Sequence, residues 1–477
     1  MTTELVPGVR IEISDIKTAS LTTATKVLVF GIKTTGSLAV NTPTRVFSPD
    51  QGIEFAGRGS QAAQMLQSVF AEYRDADVTV VLMAAPAGVV ATGTLTYSGT
   101  ATTATPILLQ IEDQIVIVPI SLGDVAATIA ASANTALAAA RYADLHVTSG
   151  AAGALQTLTA RSIGAHGNQI KFRVLQNTPG VTVTPVAMAG GTLDPDLSSA
   201  IAVIGGERYK YWVLPDTASA NLTAAITELD DRWTKERQVD GHAIAAKRDT
   251  VGNLATLGLG LDSKHVTIFG DPSVPANPWT WAARVAGLRA SVANPKFTLY
   301  NIDIRTLLAP DETLYLASAD QQTLLAAGIA TFRYVNGRAR VQRFATVYKN
   351  NELGQPSNVF YDAETKLTAS EIRQLQILVL QPQIGKTLVN DVGATQYDIS
   401  TAANIIDVEG IRQILIAQNT ETFQPQAWTD NAAYFEEQLQ VVRSGQNEVT
   451  IVCSPPITGT NYVNNGTIEV VFSFNAG

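Results

Sequence analysis

Short, continuously apolar runs that alternate with amphipathic helical patterns constrain this chain more than any other feature. KVLVFG (26–31) ends in glycine and has no polar face, as strands covered on both sides in a parallel sheet do. In SQAAQMLQSVFAEY, Ala62, Met65, Leu66, Val69, Phe70 and Tyr73 fall on one helical face, with Ser60 placed to cap it. VTVVLM (78–83) repeats the strand pattern. After a break the alternation resumes with KYWVLP (210–215) and a helix through Leu222, Ile226, Leu229 and Trp233. GHAIAAK (241–247), a helical stretch near 250–258, HVTIFG (265–270) and a helix from Trp279 to about Val292 follow. This is the grammar of an open parallel sheet.

The break, residues 90–190, is rich in Thr, Ala and Gly, with short strand-like pieces around one Ala-rich helix. It reads as an inserted, mostly β domain that splits the sheet between its second and third strands. The last 130 or so residues read as α+β. Thr368 and Glu371 form a capping-box pattern ahead of Ile372, Leu375, Leu378 and Val379. A second helix carries Val408, Ile411, Ile414 and Leu415, and a third runs through Ala432, Phe435, Leu439 and Val442. At the two ends lie alternating strands without hairpin partners: Val9, Ile11 and Ile13, and Ile468, Val470, Phe472 and Phe474. A lone strand cannot satisfy its own backbone donors and acceptors. The expected architecture is an α/β core with a split, mainly parallel sheet (26–89 and 191–340), an inserted mostly-β domain (90–190) and an α+β C-terminal domain (341–465). Arms at 1–25 and 466–477 flank it.

Composition narrows the function. Hydrophobic residues make up 46% and charged residues 16%, which places the chain among globular proteins. The net charge of −9 and the lack of a Lys/Arg block argue against direct nucleic-acid binding. The single cysteine, Cys453, sits in an apolar run and reads as a buried hydrophobe. MTTELVPGVR lacks the pattern of a signal peptide, and no apolar run is long enough to span a membrane. Synthesis and folding in the cytoplasm are expected.

Motifs for chemistry fail one by one. Gly385-Lys386-Thr387 resembles the end of a phosphate-binding loop, but Leu380 stands where the first glycine is required. Gly57-Arg58-Gly59-Ser60 fits a helix cap better than a dinucleotide fingerprint. His146, His166, His242 and His265 are scattered, without metal-ligand spacing. Asp230 and Asp231 are adjacent on a helix and point about 100° apart. Arg333, Arg338, Arg340 and Arg343 form the only local basic cluster, read as a structural or subunit-facing set of ion pairs in which Arg338 and Arg340 share a face. No cofactor is expected. The rival reading is a cytoplasmic α/β enzyme, hydrolase-like or nucleotide-binding, with a polar pocket near Asp216 or Asp271.

Several stretches carry a family resemblance in their order. They are PGVRIEI followed by a polar arm, FATVYKNNELGQPSNVFYDAETKLTASEIRQLQ (344–376), GKTLVNDVGA (385–394) and SGQNEVTIVCSPPI near the end. In that order they resemble contractile tail sheath proteins of myovirus-type and Mu-like phages. The resemblance implies a non-enzymatic virion subunit, made and assembled in the host cytoplasm. It would polymerise with identical subunits, expected as six-fold rings, into a helical sheath around a tail tube protein. Baseplate and tail terminator proteins would be further partners, and contraction would drive the tube through the host envelope. The resemblance further implies that the two terminal strands add to sheets of neighbouring subunits. Arg373, Lys386, Arg338 and Arg340 are then expected as polar contacts to tube or subunit.

Overall fold

A computed structural model describes residues 25–390 and 404–461. The terminal strand residues Val9, Ile11, Ile13, Ile468, Val470, Phe472 and Phe474 lie outside the described residues. The chain opens with β1 (Lys26–Ile32), β2 (Thr44–Val46), α1 (Pro49–Ala56), α2 (Gln61–Glu72) and β3 (Asp77–Met83). Seven strands then form separate sheets: β4 (Thr92–Gly99), β5 (Ile107–Ile111), β6 (Gln114–Val118), β7 (Val147–Ala152), β8 (Leu155–Ala160), β9 (Phe172–Gln176) and β10 (Val181–Ala189). Helix α3 (Ala126–Leu137) packs among them.

The first sheet resumes after them. Its later elements are α4 (Leu197–Ile201), β11 (Tyr211–Val213), α5 (Ser219–Trp233), β12 (His242–Lys247), α6 (Val251–Leu259) and β13 (Val266–Gly270). Then come α7 (Pro278–Ser291), β14 (Asp303–Leu308), α8 (Ser318–Ala326), β15 (Ile329–Val335) and β16 (Arg338–Arg343). The nine strands are ordered β14-β16-β15-β13-β12-β11-β1-β3-β2. The six from β15 to β3 in that order run parallel; β2, β16 and β14 pair antiparallel at the margins. The sheet is therefore mixed, mainly parallel.

Helices cover both faces, which is why β1 has no polar side. Val27 and Val29 look towards α2 and α7, among Met65, Leu66, Val69, Trp281 and Val285. Leu28 and Phe30 look the other way, towards Leu197 of α4, Leu222 and Leu229 of α5, Leu254 of α6 and Leu324 of α8. The seam between this sheet and the strands β4–β10 includes a buried polar cluster. His146, from the segment before β7, hydrogen-bonds Gly59 O and Ser162 Oγ, both at 2.8 Å. Ser162 Oγ also meets His166 Nε2 at 2.8 Å, with Trp279 edge-on to both imidazoles. Two histidines scattered in sequence thus share one serine, and burial lowers them to about 4 (His146) and about 3 (His166).

The C-terminal elements are α9 (Ala363–Leu380), β17 (Thr387–Leu388), β18 (Ile405–Ile406), α10 (Val408–Gln418), α11 (Ala432–Gln438), β19 (Gln440–Arg443) and β20 (Val449–Val452). Two expectations are corrected here. The first helix starts at Ala363 after Asp362, not at Thr368, whose hydroxyl donates to Glu364 O at 2.6 Å inside the helix. The third helix stops at Gln438, and Val442 belongs to a strand that pairs with β20. Helix α9 runs through successive cores. Ala363 and Leu367 join the main core, Ile372 and Leu375 pack with Phe423 and Trp428, and Leu380 packs with Ile411, Leu415, Phe435 and Leu439.

Close approach of α2 to β1 explains the glycine that ends KVLVFG. A Cβ on Gly31 would lie 2.8 Å from Ala62 Cα. Gly31→Ala is expected to destabilise the fold by about 1–3 kcal/mol through overpacking. Urea unfolding of the variant beside the wild-type chain checks this; an unchanged midpoint would contradict the packing.

Candidate functional site

Open α/β sheets bind ligands at the carboxyl ends of their strands, above all where strand order reverses. Here that point lies beside β1, which pairs with β3 on one side and β11 on the other. Gln61, the first residue of α2 and fully buried, closes it: Ile32 N–H donates to Gln61 Oε1 at 3.1 Å, and Gln61 Nε2 donates to Pro215 O at 2.8 Å. Further along, Arg248 follows β12 and turns its guanidinium onto carbonyls. Nε donates to Val274 O at 3.1 Å, Nη2 donates to Pro275 O at 3.2 Å, and Nη1 donates to Gln169 O. Lys171 reaches across to Ser273 O at 3.0 Å. The segment just before β9 thus fills the crevice.

The two aspartates of the rival reading serve turns. Asp271 is fully buried and accepts from Ser273 N at 2.7 Å, Val274 N at 3.3 Å and the Tyr334 hydroxyl at 2.6 Å. Asp216 accepts from Ala218 N at 2.9 Å and from Asn221, and burial raises it to about 6. Neither lines the cleft of about 270 Å³ found between α2, α7 and the β5–β6 turn, where Gln64, Glu112, Asp113 and Arg284 stand.

The amino ends of β11, β12 and β13 hold a different arrangement. Arg373 of α9 is fully buried and forms an ion pair with Asp240, also fully buried, just before β12. The same guanidinium donates to Trp233 O and lies over the Trp233 ring at 4.6 Å. Ser370 donates to Asp240, Gln374 donates to Gln238 O at 2.7 Å, and Lys366 donates to Gly241 O. Beside Ser370 on α9, Glu371 meets Lys210 at 2.8 Å, and Arg208 donates to Ser370 Oγ at 3.0 Å. His242 and His265 complete the floor, held well below their ordinary range by burial and then by Lys366. Burial alone would raise Asp240, but Arg373, Arg208 and Lys366 hold its carboxyl far below the usual range. Lys366 is pushed down to about 7, chiefly by burial, with Asp240 opposing and Arg208 and Arg373 adding.

This array fastens α9 to the sheet. Arg373 was expected at a tube- or subunit-facing surface, and the structure corrects this: no part of it is exposed, because Asp240 lies 133 residues away in sequence but against it in space. Lys386 is half-buried in the turn after α9, where Gly385 takes a φ of +90°. Arg338 and Arg340 share an outward face of β16 and both meet Asp303 of β14, Arg338 at 3.1 Å. Sequence reasoning missed Asp240, Lys366, Gln61 and Arg248. A signal for Lys366 existed: Lys366, Ser370 and Arg373 recur at helical spacing, a polar stripe that continues the helix back before Thr368.

The chain is 30% identical over 458 residues to the Mu-like prophage FluMu tail sheath protein of Haemophilus influenzae, covering 93% of this chain and 92% of that one. The chain belongs to the phage tail sheath family. Residues 190–346, which hold β11–β16, match the phage tail sheath protein central domain. Similar solved structures include the sheath tail protein of Desulfitobacterium hafniense, 12% identical with a TM-score of 0.48, covering 95% of this chain and 100% of that one. Another is the helical sheath of the anti-feeding prophage in its contracted state, 13% identical with a TM-score of 0.45, covering 100% of both chains. The family is structural, and its relatives are tail sheath proteins.

The Lys366 site of this sheath protein gives a pH signature. Between about pH 7 and about pH 10.5 the unfolded chain holds the Lys366 proton and the folded one does not. More protons on the unfolded state mean that stability rises with pH through this window. Lys366→Met removes that component, so the urea midpoint of the variant relative to wild type should fall steadily from pH 7 to pH 10. A constant difference would contradict the placement of Lys366.

Proposed function

We propose that the chain is a non-enzymatic subunit of a contractile tail sheath. It polymerises with identical copies around a tail tube protein, ends against baseplate and terminator proteins, and contracts to drive the tube through a host envelope. The near full-length match to a Mu-like tail sheath protein carries this reading. The filled crevice at the carboxyl ends supports it, because the usual ligand position of an α/β sheet is occupied by the chain's own side chains. Assembly begins in the host cytoplasm and the product is part of a virion or related particle. Six-fold rings are the expected repeat.

Connection between subunits runs through the terminal strands in this reading. Among the described residues β19 and β20 form a two-stranded sheet. One face carries Val441 and Ile451 into the C-terminal core, and the other presents Val442 at 56% and Val452 at 50% exposure. Two strands alone are marginal in water and gain from a third. Strands at 9–13 and 468–474 of neighbouring copies would supply it by backbone pairing, with alternate side chains setting register. Contraction is then a rigid-body rearrangement between two packings of one fold.

Three experiments test this. Negative-stain microscopy of the purified chain should show tubes or rings; discrete particles at every concentration would contradict the polymer. Ile11→Asp places a carboxylate in an apolar seat on the neighbour, a cost of several kcal/mol repeated at each contact. The variant should keep its monomeric melting temperature while assembly fails or moves to much higher concentration. Arg10→Ala should do little. Deleting 466–477 should likewise leave a folded monomer that no longer polymerises. Equal melting losses in Ile11→Asp and Arg10→Ala monomers would mean that the arm folds on its own chain.

A further inference from the structure

The margin of the sheet formed by β14, β15 and β16 carries a charge pattern that internal packing leaves unbalanced. Arg333 of β15 stands directly opposite Arg340 of β16, and Arg338 follows on the same outward face. Like charges directly opposed across two strands are destabilising. Asp303 answers Arg338 and Arg340. Arg333 instead donates to the Tyr300 hydroxyl at 3.3 Å, and no carboxylate among the described residues forms an ion pair with it.

Beside these arginines two aromatic side chains project from a turn held in place from below. Phe297 is 60% and Tyr300 46% exposed. The fully buried Arg289 donates to Asn294 O at 2.9 Å and to Phe297 O at 3.1 Å, which fixes the turn. Asn301 N–H donates to Val341 O at 2.8 Å and Arg340 donates to Asn301 Oδ1 at 3.1 Å, which ties the turn to β16. Aromatic residues and arginine are the types that dominate binding at protein interfaces. A turn already ordered loses little freedom when it is covered.

We propose that Phe297, Tyr300, Arg333 and Arg338 form a docking surface for a second copy of this chain. This rests on the polymer reading and adds to it a contact distinct from the terminal strands. Charge selects the occupant. The chain carries a net charge of −9, and its C-terminal region exposes Glu421, Asp430 and Glu437, while Glu409 of α10 and Glu436 of α11 share Arg412. A basic, aromatic patch on one copy and these C-terminal carboxylates on the next would make a head-to-tail contact, the kind that extends without closing.

The lone native thiol makes a direct test available. Cys453 is pushed up to about 12 by burial, so a thiol reagent attacks it slowly. With Phe297→Cys, labelling by a charged thiol reagent is followed in the monomer and in tubes assembled from the purified, nuclease-treated chain. At least a tenfold slowing in the tubes is expected. Independently, Arg333→Glu should raise the protein concentration needed for assembly by about tenfold at low salt. That gap should narrow at high salt while the monomer's melting temperature stays unchanged. Tubes in which position 297 reacts as fast as in the monomer, or an Arg333→Glu chain that assembles like wild type, would overturn the docking surface and leave the polymer reading intact. A wild-type chain that never forms tubes would overturn the polymer reading itself.

Discussion

An ion pair between Asp240 and Arg373, both without solvent exposure, joins the C-terminal part of the chain to the sheet. Two charges removed from water persist only if each is answered closely, and here every neighbour contributes. Ser370 donates to the carboxylate, Trp233 offers its carbonyl and ring to the guanidinium, and Lys366 lies alongside. Removing one partner strands the other, which costs about 3–5 kcal/mol at a buried site. The geometry of α9 relative to the strands is therefore specified sharply. Because α9 passes on through the packing of Ile372, Leu375 and Leu380, this one fastening orients the C-terminal core as well.

The two ends of the parallel strands have taken opposite roles. At the carboxyl ends Gln61, Arg248 and Lys171 satisfy backbone carbonyls that a ligand would otherwise meet. At the amino ends the docking of α9 uses the space where charged side chains could have remained in water. Both arrangements favour a stiff body over a binding crevice. A subunit that must transmit displacement between neighbours needs that stiffness, and an 18-residue helix spanning about 27 Å makes a suitable strut.

Much of the core was legible. KVLVFG, VTVVLM, GHAIAAK and HVTIFG read as buried strands because helices cover both faces, and Ser60 read as a cap because its side chain does accept from Ala63 N. The start of α9 was misread because Thr368 and Glu371 match a capping box, whereas Glu371 is drawn inward by Lys210 and the helix has already begun. Arg373 looked like a surface residue because its partner is remote in sequence. The same remoteness hid Gln61 and Arg248, whose acceptors are carbonyls that no side-chain pattern encodes. His146 and His166 are 20 residues apart and converge only through Ser162 and Trp279. The helix after Ala432 was carried too far because Leu439 and Val442 continue a helical spacing that β19 interrupts.

The fastening is tested most directly by a double-mutant cycle on Asp240→Asn and Arg373→Met, followed by urea unfolding. Each single substitution leaves a buried group without its partner, while the double substitution removes the mismatch. The two residues should therefore couple by about 2–3 kcal/mol, the double variant being far more stable than the sum of the singles implies. Losses that add to within about 0.5 kcal/mol would show that the two side chains act independently and that α9 is held by something else.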